Sequence, residues 1–120
     1  MERRPWGWFE TLARGEGYLV KRLCIRAGER ISLQRHRCRS EHWVVVGGEG
    51  LLECGGERRE ARAGTSLFIP VGAVHRASAG AADLLIVEVQ RGDRLREDDI
   101  ERLADDYRRD GGSVPGLARC

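Results

Sequence analysis

Residues 28–48, GERISLQRHRCRSEHWVVVGG, constrain the fold of this chain more than any other stretch. Gln34 and His36 are two residues apart, so in an extended strand their side chains point to the same face. A short polar bend at 37–40 precedes Glu41 and allows the chain to turn a carboxylate toward the same point. The spacing therefore predicts a metal site built on a bent β-strand.

A second stretch, GTSLFIPVGAVH at 64–75, offers one more imidazole, His75, after a Pro-x-Gly turn. The chain has three histidines, and two of them, His36 and His75, fall at these candidate ligand positions. We expect both to be metal ligands together with Gln34 and Glu41. A lone histidine in a strand is often an ordinary hydrogen-bonded residue, and this alternative stays open for His42.

Most of the chain predicts short strands separated by glycine turns. The predicted strands cover 18–26, 31–36, 42–46, 51–54, 57–61, 65–69, 75–78 and 84–90. Between two of them, Gly55 and Gly56 indicate a hairpin, because glycine accepts the positive φ that tight turns need. Short strands at regular spacing indicate an all-β fold, closed as a sandwich or barrel.

The carboxyl-terminal part has a different pattern. Ile100, Leu103, Ala104 and Tyr107 follow the spacing i, i+3, i+4, i+7, which is one face of an amphipathic helix. Acidic residues precede this run and two arginines follow it, in the order that the helix dipole favours. The pattern predicts an α-helix over 96–109.

At 120 residues the chain is long enough for one domain with a single core. We expect this domain to occupy residues 1–109, followed by a flexible tail at 110–120. It includes an aromatic amino-terminal arm at 4–10, which must be covered by the barrel or by a second subunit. A homodimer would cover both the arm and any open strand edge.

Composition and charge exclude several classes of partner. A net charge of +2, with no basic run interleaved with aromatic residues, argues against nucleic acid. No apolar run approaches the roughly 20 residues that a membrane-spanning helix needs. The first ten residues, MERRPWGWFE, lack the apolar region of a signal peptide. We therefore expect a cytoplasmic protein with no membrane or nucleic-acid partner.

The two glycine-bounded stretches resemble the paired motifs of the cupin family. Eight of ten signature positions agree at the family's spacing: Gly28, His36, Glu41, Gly48, Gly64, Pro70, Gly72 and His75. The two departures are Gln34, in place of the first His of the first motif, and Ala79, in place of the Asn of the second.

Several other segments are similar to the type II mannose-6-phosphate isomerases. These are RPWG at 4–7, YLVKR at 18–22, SLQRHRCRSEHWVVV at 32–46, FIPVGAVHR at 68–76 and IVEVQRGDRLREDDIERLADDYRR at 86–109. In many bacteria this cupin is the carboxyl-terminal half of a fusion with a mannose-1-phosphate guanylyltransferase. The glycine-rich nucleotide-binding half has no counterpart in this sequence, so we expect no guanylyltransferase activity from it.

The resemblance implies a cupin fold, which is a double-stranded β-helix or jelly-roll barrel, here with a carboxyl-terminal α-helix. It also implies a metal-dependent isomerase of nucleotide-sugar biosynthesis that interconverts mannose 6-phosphate and fructose 6-phosphate through a cis-enediol. Two imidazoles, one amide oxygen and one carboxylate favour Zn²⁺, and Mn²⁺, Co²⁺, Ni²⁺ or Fe²⁺ are also compatible with such a ligand set.

The resemblance assigns Arg39 to catalysis. For proton transfer between the sugar carbons we consider Lys21, His42 and Glu88. For the phosphate group we consider Arg39, Arg22 and Lys21, since arginine and lysine are the usual phosphate-binding side chains. Lys21 shares a strand face with apolar residues, which predicts that it points inward.

The chain departs from the isomerase pattern at Arg37 and Cys38, where the family commonly has histidines. This departure leaves the exact substrate and metal open. Two other functions remain alternatives: a non-catalytic cupin module that binds sugar or metal, and an Fe-dependent cupin oxygenase. Iron and oxygen consumption would identify the oxygenase, and a lack of sugar-phosphate interconversion would identify the binding module.

Overall fold

The fold is described from a computed structural model of residues 1–110. In this range it has eleven strands and no helix. The strands are β1 (Glu2–Arg4), β2 (Gly7–Gly15), β3 (Tyr18–Ile25), β4 (Leu33–Arg35), β5 (Ser40–Gly47), β6 (Gly50–Cys54), β7 (Glu57–Ala61), β8 (Ser66–Ile69), β9 (His75–Ala79), β10 (Leu84–Arg91) and β11 (Glu101–Ala104). Over the same residues there is no helix that could cross a membrane. Of the predicted tail, only Asp110 lies within the described residues.

The strands form two antiparallel sheets. One has six strands in the order β1-β2-β3-β10-β5-β8, and the other has five in the order β11-β4-β9-β6-β7. The inner faces of both sheets contribute to one hydrophobic core, with Trp43 and Ile86 from the first sheet and Leu52 and Ala77 from the second. The all-β prediction is confirmed for the part of the chain that the structure describes.

The local strand predictions are confirmed. Each of the eight predicted strands overlaps one of the strands β3 to β10. The predicted hairpin joins β6 to β7, and Gly55 and Gly56 at its turn have φ angles of 59° and 85°. Positive φ at both positions is the property for which glycine is selected in such turns. The sequence patterns missed β1, β2 and β11.

The aromatic amino-terminal arm is covered by the barrel itself. β1 and β2 extend the six-stranded sheet, because β2 pairs with β3 along its length. Trp6 and Phe9 pack into the core and are only 8% and 5% exposed. The arm is therefore an integral part of the domain.

The predicted carboxyl-terminal helix is wrong. The centre of that segment forms β11, which pairs with β4 so that Glu101 lies opposite Arg35 and Arg102 opposite Gln34. This pairing gives hydrogen-bond partners to backbone groups along the edge of the five-stranded sheet. These bonds to a distant strand outweigh the helical periodicity of the side chains. Leu103, which the helical pattern placed on the apolar face, is 43% exposed.

The barrel interior changes from apolar to polar along β10. The inward-pointing residues of this strand are, in order, Leu84, Ile86, Glu88 and Gln90, and all four are buried. Because strand side chains alternate between faces, the change from apolar to polar appears at every second residue of the sequence LLIVEVQ. Buried polar groups need partners, so the polar half of the interior is where a functional site is expected.

The two glycines that bound residues 28–48 provide a test of how the backbone constrains the fold. Both have left-handed backbones, with φ of 77° at Gly28 and 81° at Gly48. A Cβ at Gly48 would lie 1.8 Å from the carbonyl oxygen of Asp83, whereas a Cβ at Gly28 would meet nothing within 4 Å.

We expect Gly28→Ala to lower the free energy of unfolding by about 1 kcal/mol, from backbone strain alone. Gly48→Ala should lower it by at least ~3 kcal/mol, because the clash with Asp83 adds to the same strain. Chemical denaturation of both variants measures the difference. Equal losses would contradict the importance of the close approach to Asp83.

Candidate metal centre

Three strands bring the four predicted ligands to the polar end of the barrel. Gln34 on β4 is the cross-strand partner of His75, the first residue of β9. His36 follows β4 directly, and Glu41 is the second residue of β5. Gln34 and His36 line one pocket, as expected of residues two apart on a strand.

His36, Glu41 and His75 form a compact buried cluster. Nε2 of His36 lies 3.2 Å from Oε2 of Glu41, and Nε2 of His75 lies 3.5 Å from Oε1 of the same carboxylate. The three candidate ligand atoms lie within 4.8 Å of one another, and none of the residues is more than 3% exposed. Two imidazoles and a carboxylate at this separation could hold a divalent ion.

Both imidazoles are oriented by hydrogen bonds on the far side of the ring. Nδ1 of His36 donates to the carbonyl oxygen of Asp99 at 2.6 Å, and Nδ1 of His75 donates to that of Ala73 at 2.9 Å. Because a carbonyl can only accept, the proton of each neutral ring is on Nδ1. Each Nε2 therefore presents its lone pair to Glu41, which is the tautomer that a metal ligand needs.

Two atoms at the centre of this cluster are buried without a hydrogen-bond partner among residues 1–110: Oε1 of Glu41 and Nε2 of His75. An unpaired buried polar atom costs about 1–3 kcal/mol, and two facing acceptors cannot satisfy each other. A cation between them would satisfy both. The donor set of His36, Glu41 and His75 therefore fits a divalent metal ion. The amide of Gln34 lines a pocket with His36, and its oxygen accepts a hydrogen bond from Oγ of Ser32 at 2.8 Å.

The protonation states of the cluster also suit a metal ligand set. Burial lowers the pKa of His36 to about 4, and the nearby guanidinium of Arg39 acts in the same direction, so the ring is neutral at pH 7. Burial by itself would raise the pKa of Glu41. His36, Arg39 and His75 outweigh it and hold the pKa of that carboxyl well below its usual range.

Arg39 lies against this cluster. Its Nε donates to Oε2 of Glu41 at 2.8 Å, and one terminal nitrogen donates to the carbonyl oxygen of Arg96 at 3.1 Å. The other terminal nitrogen is 3.3 Å from Nε2 of His36. The guanidinium therefore balances the charge of Glu41 and fixes the direction of its carboxylate.

Asp99 organises the same region, and no sequence pattern indicated this role. Its carboxylate accepts hydrogen bonds from the backbone N–H groups of Arg37 and Cys38, both at 2.9 Å, while its carbonyl oxygen orients His36. Asp99 is 3% exposed. In the sequence, the acidic residues at 97–99 are interpreted as the start of a helix. For that reason the role of the Asp99 carboxylate, which binds the backbone between His36 and Glu41, is not predicted.

Lys21 and Glu88 face the pocket from the six-stranded sheet, where they are cross-strand partners on β3 and β10. Lys21 is 4% exposed, forms an ion pair with Glu97, and places its Nζ 4.2 Å from the centroid of the Phe9 ring. Oε1 of Glu88 accepts a hydrogen bond from Nε1 of Trp43 at 2.9 Å. Lys21 points inward, as its strand register predicts.

The carboxyl group of Glu88 is poised to exchange a proton near neutral pH. Burial and the neighbouring carboxylate of Glu41 raise the pKa of Glu88 to about 7, against the opposing influence of Arg39 and of the amide of Gln90. Nε2 of Gln90 donates to Oε2 of Glu88 at 2.8 Å. Glu88 thus combines a pocket position with a pKa suited to acid–base chemistry.

The structure does not bring His42 or Arg22 to the site, which corrects both assignments. His42 is exposed and its ring lies 5.4 Å from that of Phe68 on the outer face of the sheet. Neighbouring strand residues point to opposite faces, so His42 points outward because Glu41 points inward. Arg22 likewise alternates with the inward Lys21 and forms an ion pair with Glu10.

Comparison with known proteins identifies the chain. Residues 2–105 match the family described as mannose-6-phosphate isomerase C-terminal. The chain belongs to this family. It is 43% identical over 107 residues to the alginate biosynthesis protein AlgA of Pseudomonas aeruginosa, and 40% identical over 107 residues to the mannose-1-phosphate guanylyltransferase of Escherichia coli K12. Each alignment covers 88% of this chain and 22% of the relative, so the chain spans about a fifth of the length of these proteins.

Solved structures with a similar fold support the cupin assignment. An RmlC-like cupin from Shewanella frigidimarina matches with a TM-score of 0.66 and 20% identity, covering 75% of this chain and 78% of the other. KdgF from Halomonas sp. matches with a TM-score of 0.70 and 19% identity, covering 78% of this chain and 87% of the other. At this identity the likeness shows the fold alone, and the cupin barrel that the motifs predict is confirmed.

The cluster can be tested by titration with Co²⁺, followed by its visible absorbance. We expect the wild-type chain to bind one ion. Both Glu41→Gln and His75→Ala should weaken binding at least ~100-fold, because loss of a residue that only hydrogen-bonds to a metal ligand already costs up to about that factor. His42→Ala is the matched control, because His42 lies on the outer face, and it should bind like the wild type. Unchanged affinity in His75→Ala would contradict a metal site here.

Proposed function

We propose that this chain is a metal-dependent aldose–ketose isomerase that interconverts mannose 6-phosphate and fructose 6-phosphate. The observation that carries the proposal is a pocket lined by His36 and Glu88, because His36 belongs to the buried cluster with Glu41 and His75, and Glu88 is also a neighbour of Glu41. Membership of the mannose-6-phosphate isomerase C-terminal family supports the choice of substrate.

The reaction moves one proton between neighbouring carbons. From the aldose, a base removes the proton on C2 while the carbonyl oxygen on C1 gains a proton, which gives a cis-enediol. The hydroxyl on C2 then loses its proton as a proton returns to C1, which gives the ketose. Glu88 is the side chain that we assign to this transfer. With a pKa of about 7 it is partly ionised at neutral pH, so it can accept a proton from one carbon and return it to the other.

His36, Glu41, His75 and Gln34 are the residues that would hold the metal ion. When bound, a divalent ion would supply positive charge to polarise the sugar oxygens and stabilise the negative charge of the enediolate. The nitrogen and oxygen donors favour Zn²⁺ and also accept Mn²⁺, Co²⁺, Ni²⁺ or Fe²⁺.

Neighbouring side chains position these groups. Arg39 keeps the carboxylate of Glu41 directed at the imidazoles, through the hydrogen bond between its Nε and Oε2. Trp43 and Gln90 each donate a hydrogen bond to one oxygen of Glu88, which limits the rotation of the carboxyl group. Lys21 adds positive charge beside Glu88, on the neighbouring strand.

A coupled assay tests the proposal on protein stripped with EDTA and reloaded with Zn²⁺, Mn²⁺ or Co²⁺. We expect stripping to abolish interconversion of the two sugar phosphates, and at least one ion to restore it. Metal binding without interconversion under any of these conditions would favour a non-catalytic binding module. Oxygen consumption by the Fe²⁺-loaded protein would favour the oxygenase. Either result would contradict the isomerase assignment.

The role of Glu88 is tested by Glu88→Gln, which keeps the shape of the side chain and removes the titrating group. We expect kcat to fall by about 10²–10⁴-fold, the usual contribution of a general base, while the stoichiometry of bound metal stays the same. Glu60→Gln is the control, because Glu60 is 76% exposed on β7. Wild-type turnover in Glu88→Gln would exclude this residue as the base.

The role of Arg39 is tested by Arg39→Ala. Loss of the guanidinium releases the carboxylate of Glu41, so we expect turnover to fall at least ~10-fold because positioning in a catalytic site is lost. The bound metal should remain at one ion per chain, since the candidate ligands themselves are intact. Metal analysis and the coupled assay give the two readouts, and full activity in this variant would contradict the assignment.

A further inference from the structure

Arg102 shares the inner face of the five-stranded sheet with the candidate metal ligands. It lies opposite Gln34, and Gln34 lies opposite His75, so the three residues form a row across β11, β4 and β9. Cross-strand partners point to the same face. Two strand spacings of about 4.8 Å place Arg102 roughly 10 Å from His75. Arg102 and Gln34 both line the pocket.

Arg102 differs from the other cations of this pocket. Within residues 1–110, five cations line it, and four have an acidic partner: Arg39 with Glu41, Lys21 and Arg4 with Glu97, and Arg109 with Asp105. None of the side-chain hydrogen bonds and ion pairs found within residues 1–110 involves Arg102, and its Nε is buried without a partner. A guanidinium that is partly removed from water without a counter-ion is unfavourable, so this position favours an anion.

The neighbours of Arg102 strengthen this preference. Two further cations, Arg4 and Arg109, line the same pocket. Burial lowers the pKa of Arg102, and the charges of Arg109 and Arg4 act in the same direction, while Asp105 opposes them. The acid nearest to Arg109 is already engaged, since Asp105 accepts from Nε of Arg109 at 2.7 Å.

We propose that Arg102, flanked by Arg4 and Arg109, binds the phosphate group of a phosphorylated sugar whose other end lies at the His36, Glu41 and His75 cluster. The identity of the sugar rests on the proposed isomerase function. A guanidinium can bind two phosphate oxygens at once, which suits this role. A hexose 6-phosphate separates its phosphate from the reacting C1 and C2 by the length of its carbon chain, and the row from Arg102 to His75 provides that separation.

This assignment replaces the phosphate-binding residues suggested by the sequence. Arg22 lies on the outer face, where it pairs with Glu10. Arg39 is engaged by Glu41 and by a backbone carbonyl. Lys21 is engaged by Glu97. Among the cations of this pocket, Arg102 has the hydrogen-bonding capacity that a phosphate requires.

The test is calorimetric titration with a hexitol phosphate, which carries the phosphate but has no carbonyl group to isomerise. We expect Arg102→Gln to weaken its binding at least tenfold and Arg102→Lys to weaken it less, because lysine keeps the charge but cannot bind two oxygens in a fork. The control is Arg58→Gln, since Arg58 is 75% exposed on β7, at the other edge of the same sheet. It should bind like the wild type.

In the coupled assay, Arg102→Gln should raise KM at least tenfold with kcat within about threefold of wild type.

The outcomes separate this subsite from the isomerase proposal. Tight binding of the hexitol phosphate that is lost in Arg102→Gln supports the subsite, even if the wild-type chain isomerises nothing. Equal binding by wild type and Arg102→Gln, or no binding by the wild type, would overturn the subsite and leave the isomerase assignment standing. If Arg102→Gln weakened Co²⁺ binding as strongly as it weakened the phosphate ester, the residue would have a structural role and the subsite would also be overturned.

Discussion

The burial of one carboxylate, Glu41, is the constraint on which the functional end of the barrel depends. A carboxylate that is 1% exposed is stable only if its charge is balanced and its oxygens are bonded. Arg39 donates a hydrogen bond to one oxygen at 2.8 Å, and Nε2 of His36 lies 3.2 Å from the same oxygen. The other oxygen faces His75 and has no hydrogen-bond partner among residues 1–110. Arg39 is therefore the group that compensates the buried charge of Glu41. The oxygen of Glu41 that lacks a partner among the described residues makes the cluster a candidate site for a cation.

A single segment, residues 96–102, holds this unit in place and completes the pocket. The carbonyl oxygens of Arg96 and Asp99 accept hydrogen bonds from Arg39 and His36, and the carboxylate of Asp99 binds the backbone at 37–38. The chain then enters β11 and brings Arg102 beside Gln34. The segment that orients the ligands thus also supplies Arg102, the cation of this pocket that has no acidic partner in the described part of the chain. This link explains why the site requires β11 in the sheet.

Part of the site followed from the sequence because strand side chains alternate. Gln34 and His36 share a pocket as their spacing predicts, and Lys21 points inward with its apolar neighbours. The same rule, applied to neighbouring residues, would have excluded His42, since Glu41 and His42 cannot face one pocket from a regular strand. In β5 the two residues do alternate, with Glu41 buried and His42 exposed.

What the sequence determined by itself is local. Most of the strands, the Gly55-Gly56 hairpin and the change from apolar to polar along β10 depend on a period of two and on the backbone freedom of glycine, and both can be read along the chain. The tertiary structure alone decided that 101–104 pairs as a strand, that Asp99 orients His36, and that Arg102 has no ion-pair partner among residues 1–110. These features depend on which distant segments meet, and pairing between distant strands outweighs local side-chain periodicity wherever backbone groups need partners.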